Sequence, residues 1–178
     1  MKKFILAAVF AAVAAAASTA FAQTVTEKTG VNSALGVAPK TADFVKEAAS
    51  SDMFEIESSK LAMQRSDDAT KAFAQQMMTD HQKTSAELKG FVTSGKVKAK
   101  IPTTMAAPYK KMLTKLSSLQ GADFTKQYHS DQEKVHKDAV DLFQRYGDKG
   151  DNAQLKAWAA TTRPALEHHL QMAKDLNK

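Results

Sequence analysis

Between Lys71 and Phe91 apolar residues return at helical spacing, and one histidine sits in the middle of the stripe they draw. At about 100° per residue, Phe73, Ala74, Met77, Met78, Leu88, Phe91 and Val92 share a face with His81 near its centre. Lys71, Gln75, Lys83 and Lys89 take the other side, and Asp80 the edge. The pattern predicts a helix that buries an imidazole. Ring nitrogens held away from water need a hydrogen-bond acceptor, a bound water or a metal, so the rest of the chain is read for what meets His81.

Three more long helices follow from the same periodicity. The first spans about Ala42 to Arg65, with Thr41 as its cap and Phe44, Val45, Ala48, Ala49, Ile56, Ala62 and Met63 on an arc that also holds Asp52, Glu55 and Ser59. Ser66, Asp67 and Asp68 interrupt it and cap the His81 helix, which closes near Gly95. So tight a turn makes the two helices antiparallel neighbours. Residues 96–105 lack helical period and mark a crossing, after which Pro108 opens a short helix to Leu119 that Gly121 stops.

The third long helix runs from about Ala122 to Tyr146 on Phe124, Tyr128, Val135, Ala139, Leu142, Phe143 and Tyr146. Asp131 and Gln132 lie within reach of this stripe, His136 on its flank, and His129 and Glu133 toward solvent. Gly147, Gly150 and Asp151 turn the chain and cap the fourth helix, about Asn152 to Leu176. There His169 is central, His168 faces away and Pro164 should kink the axis one turn earlier. Short first and last turns with one long crossing predict an all-α fold, an antiparallel ferritin-like four-helix bundle with a crossover containing a short extra helix.

The start of the chain changes where this bundle is expected to work. Lys2 and Lys3 precede an apolar run from Phe4 to Ala17, and Ala20-Phe21-Ala22 has the small-x-small form cut by signal peptidase. Residues 1–22 are thus predicted as a signal peptide, 23–40 as a flexible lead-in starting at Gln23, and 41–178 as the bundle domain. The expected location is exported, periplasmic or envelope-associated, with no transmembrane segment in the mature chain. Without Lys2 and Lys3 the 25 basic residues become 23 against 19 acidic, a modest excess. The lysines at 96, 98, 100, 110, 111 and 115 lack interleaved aromatics, so they read as a solvated face open to peripheral envelope contact, and no nucleic-acid partner is expected. Oligomeric state does not follow from the pattern.

No cysteine is present, which excludes disulfides and thiolate ligands. No glycine-rich phosphate loop or nucleophile on a defined turn appears, so no catalytic residues are assigned. What remains is one ligand-type residue per long helix: Glu55, His81, His136 and His169, at similar heights once the helices are antiparallel. They form a candidate site for one transition-metal ion, with Asp52, Asp80 and Asp131 as candidates for the surrounding hydrogen-bonding layer. Of the two Glu-x-x-His motifs a di-iron bundle needs, only Glu133 to His136 is found, and Glu133 faces outward. The plainer reading is a buried polar cluster in which Glu55 and Asp52 satisfy the histidines and fix helix register. Met53, Met77, Met78 and Met172 fall near the same layer, either as soft copper(I) ligands or as core filler.

The segments DFVKEAASSDMFEIESSKLAMQ from Asp43, KAFAQQMMTDHQKTSAEL from Lys71, DFTKQYHSDQEKVHKDAVDLF from Asp123 and LKAWAATTRPALEHHLQMA from Leu155 resemble the bacterial exported domain of unknown function 4142 family. Members carry an outer-membrane label and are placed among ferritin-like folds. The resemblance covers almost the whole mature chain and implies the helical fold. It matches an acid at Glu55, the pair Asp80 and His81, a histidine at His136 and the step from Pro164 to His169. It implies no activity. The functional expectation is therefore an exported module that binds without turnover, in an envelope or stress-related role. The alternative is a metal-binding (iron, copper or zinc) oxidoreductase or metal-storage protein of ferritin-like type.

Overall fold

The computed structural model describes residues 31–178, so the predicted signal peptide and the start at Gln23 lie outside the described residues. A single helical turn, α1 (Val31–Ala34), interrupts the expected lead-in. It is followed by α2 (Thr41–Arg65), α3 (Asp68–Thr93), α4 (Ala107–Ser117), α5 (Gly121–Lys149) and α6 (Ala153–Leu176). No strand occurs among the described residues, and none of their helices is long and apolar enough to cross a membrane.

Local chemistry accounts for most of the boundaries. Asp67 accepts from the Thr70 amide at 2.8 Å and starts α3. Gly95, at φ 75°, ends the turn that closes it. Pro108 stands in the first turn of α4, where its missing N–H leaves no bond unmade. Asn152 accepts from the Leu155 amide at 3.0 Å and caps α6.

Four positions differ from the expected ones, the first being the cap of α6, which is Asn152 rather than Asp151. Thr41 lies inside α2 rather than capping it; Asp151, in the turn between α5 and α6, accepts from both the Thr41 amide (3.0 Å) and its hydroxyl. A carboxylate delivered from another turn thereby replaces a hydroxyl as the cap. Gly121, at φ 53°, opens α5 instead of merely stopping α4. Gly147 stays helical, because its role is close packing: a Cβ there would stand 3.1 Å from the Ala160 Cα on α6. Replacing Asp151 with alanine should cost about 1–2 kcal/mol, the loss of a helix cap, read as a lower urea midpoint with an unchanged slope.

The core fixes the helix directions. One apolar cluster joins Phe44, Val45 and Ala48 of α2 to Leu88 of α3, Phe143 and Tyr146 of α5 and Leu155 and Trp158 of α6. A second joins Ala62, Phe73, Met77, Phe124, Tyr128 and Ala173. The start of α2 thus meets the end of α3, the end of α5 and the start of α6, and the opposite ends meet in the second cluster, so each helix runs antiparallel to its neighbours. The crossing covers α2 from outside: the Ala106 amide donates to Ser50 Oγ, Tyr109 packs on Phe54, and Arg65 donates to the Ser117 and Leu119 carbonyls. This is why α2 is buried on more than the single arc expected, with Ser50, Ser51 and Phe54 all inside.

Candidate metal centre

Between the two apolar clusters lies a polar layer. It consists of Asp52, Glu55, Ser58 and Ser59 from α2, His81 from α3, Gln132 and His136 from α5, and His169 from α6, all buried. The three imidazoles are at most 3% exposed. Their ring centroids stand 5.5 Å (His81 to His136), 5.6 Å (His81 to His169) and 5.4 Å (His136 to His169) apart, close to an equilateral triangle. One ring nitrogen from each lies within 4.8 Å of the other two.

Hydrogen bonds decide which nitrogen carries the proton. His81 donates from Nδ1 to Asp52 Oδ1 at 2.8 Å, since a carboxylate only accepts. Asp52 is in turn held by the Thr84 and Ser85 hydroxyls, at 2.9 and 3.0 Å to Oδ2. His136 donates from Nδ1 to the Gln132 carbonyl at 2.9 Å. His169 donates from Nε2 to Asp80 Oδ2 at 2.9 Å, and its Nδ1 is buried with no partner. Each neutral ring therefore spends its N–H on an anchor and keeps one lone pair. Nε2 of His81 and Nε2 of His136 face each other at 3.4 Å, close to the roughly 3.3–3.4 Å between nitrogens on a tetrahedral ion with bonds of about 2.0–2.1 Å.

The electrostatics fit a cation in this layer. Burial works against charge on His81, but the hydrogen bond and charge of Asp52, with Glu55 and Asp80 behind it, outweigh burial and leave its pKa raised. Burial and the charge of His81 push His136 well below the ordinary range, and the same two causes lower His169. The layer accommodates one positive charge and resists a second. Asp52, Asp80 and Glu55 surround the rings with carboxyl groups, and no Lys or Arg is among the buried residues of the layer.

The sequence matches the family described as Domain of unknown function (DUF4142) over residues 13–176. The chain belongs to the DUF4142 family. No curated protein and no solved structure is a significant match.

In this DUF4142 chain the four residues read from the helical wheels do not stand equally. His81, His136 and His169 converge, and His136 is as buried as the other two rather than on a flank. Glu55 stands behind His136, its Oε1 3.7 Å from the anchored Nδ1 rather than from the lone pair. Both of its oxygens are buried without a hydrogen bond, and burial raises its pKa to about 7. Asp52 and Asp80 each hold an imidazole. Asp131 does not; it accepts from Gln127 at 2.8 Å on its own helix. Met77 packs in the second apolar cluster, with Met63 and Met172 against it. The Gln132 carbonyl that orients His136 had no sequence signal, because any residue four before the histidine supplies one. Thr84 and Ser85, three and four residues after His81, were legible as neighbours on the helix but not as supports for Asp52.

Proposed function

We propose that this DUF4142 protein is a metal-binding module that holds a single late transition-metal ion among His81, His136 and His169. The observation that carries the reading is the convergence of three buried imidazole nitrogens whose protons are committed elsewhere. Two of the anchors are carboxylates and one a backbone carbonyl, the outer partners that orient metal-bound histidines and raise their basicity. All-nitrogen donors without thiolate suit zinc(II) or copper(II), and three protein ligands leave a fourth position for water or a small ligand. Asp52→Asn keeps the shape but removes the carboxylate, and should weaken metal affinity about 10–100-fold in a competition titration with a chromogenic chelator.

The same proposal takes the fold as a ferritin-like four-helix bundle with one mononuclear centre in place of a di-iron one, and the antiparallel helices and the crossing are what support it. Export to the periplasm or envelope belongs to the same proposal, supported by the charged and apolar start of the chain and its Ala-x-Ala site. A second reading rests on the 3.4 Å contact itself: a protonated His81 donates from Nε2 to His136, and the layer is a polar cluster that fixes register without metal. Metal analysis of protein purified from the native envelope without chelators separates the two. One ion per chain, on material whose N-terminus is Gln23, is the expected result; metal-free protein that takes up none on dialysis favours the polar cluster.

A further inference from the structure

The histidine layer borders a surface cleft. Between α3 and α6 lies a cleft of about 690 Å³ whose lining includes His81 and His169. Its volume falls in the range of small-molecule sites and exceeds what a bare inorganic anion would fill. One wall is apolar: Phe91 and Trp158, with ring centroids 6.0 Å apart, continue into Ala165 and Leu166.

Besides the histidines, four charged side chains line this cleft: Asp80, Lys83, Glu87 and Lys96. Both carboxylates are committed. Asp80 accepts from His169 at 2.9 Å, and Glu87 accepts from the Trp158 indole N–H at 2.7 Å. Among the described residues neither the Lys83 nor the Lys96 ammonium forms an ion pair or a hydrogen bond, and both are exposed. The uncommitted charge of the cleft is therefore positive at its rim.

We propose that the cleft binds a small organic anion, a carboxylate on an aromatic or apolar body. The body lies along Phe91, Trp158 and Leu166, Lys83 and Lys96 attract the charge, and the carboxylate reaches the fourth position of the ion held by His81, His136 and His169. The last contact rests on the metal reading above; the seat of the body and the attraction of the lysines do not. Charge complementarity and an apolar wall select this ligand over a neutral molecule of the same shape.

Trp158 is the single tryptophan of the chain and lines the cleft, so its fluorescence responds to a ligand seated there. Phenylacetate is titrated into the metal-free and the zinc-loaded protein, with phenylacetamide as the neutral control. Expected are a saturable change for phenylacetate, about tenfold tighter binding in the zinc-loaded form, and a loss of about fivefold in the Lys83→Ala, Lys96→Ala double variant. Both lysines are exposed, so that variant keeps its fold. A zinc-loaded protein that gives no saturable change, or that binds phenylacetamide equally well, overturns the cleft proposal and leaves the metal reading intact. A protein that takes up no zinc but still binds phenylacetate through the two lysines upholds the cleft and overturns the metal reading. No response in a protein that also takes up no zinc overturns both.

Discussion

Zinc(II), with free metal held at 100 to 1,000 times its dissociation constant, is expected to raise the unfolding midpoint of the metal-free protein by roughly 8–15 °C. A ligand bound only by the folded state stabilises it by about 3–4 kcal/mol at that excess, and a domain of this size gains a few degrees per kcal/mol. His136→Ala should abolish the response. It is the cleanest of the three substitutions, because His136 is anchored on a carbonyl of its own helix and its loss breaks no hydrogen bond to a carboxylate. Replacing His81 or His169 would also orphan Asp52 or Asp80, which mixes a folding penalty of about 1–3 kcal/mol into the readout. Without metal, His136→Ala should lower stability through lost packing alone. Differential scanning calorimetry on both proteins, with and without zinc, checks each part.

Glu55→Gln is expected to stabilise the metal-free protein at pH 8, by on the order of 3 kcal/mol, and to have almost no effect at pH 4. Burial raises the Glu55 pKa from 4.5 to about 7. Below pH 4.5 the carboxyl is protonated in both the folded and the unfolded chain. Between 4.5 and 7 the unfolded chain releases the proton while the folded chain keeps it, so stability falls as pH rises, by about 1.4 kcal/mol for each pH unit crossed. Above 7 both are ionised, and the folded state carries the cost of a buried carboxylate, offset only in part by the charge of His81. Glutamine keeps the shape without the charge. The difference between variant and wild type in urea unfolding at pH 4, 6 and 8 follows this group together with His81, whose charge interacts with it. Zinc should shrink the difference, since a cation in the layer favours the ionised carboxyl. A difference independent of pH would mean that Glu55 is not buried as a lone acid.

The helices were legible because their stripes are wide and their stops are chemical. Asp67 and Pro108 act where the pattern put them, whereas the cap of α6 is Asn152 and not the Asp151 expected. Gly147 and Thr41 were misread for a shared reason: their roles depend on Ala160 and Asp151, which approach only once the helices pack. The histidines were legible as inward residues, since each has an apolar neighbour three or four positions away. Which nitrogen of each faces the others was not, because that is set by acceptors on other helices or by the backbone. Glu55 and Asp131 show the limit of the helical wheel. It reports that a side chain points inward, while the distance to a ring depends on height along the axis and on the path of a flexible carboxylate. The cleft between α3 and α6 had no signature, because Lys83 and Lys96 read alone as ordinary surface lysines.

X-ray absorption at the zinc edge of the loaded protein tests the central claim most directly. The account predicts one zinc per chain with three imidazole nitrogens at about 2.0–2.1 Å and one oxygen ligand completing a tetrahedron, and a spectrum that loses an imidazole contribution in His136→Ala. Zinc surrounded by oxygen alone, or a spectrum unchanged in that variant, would contradict it.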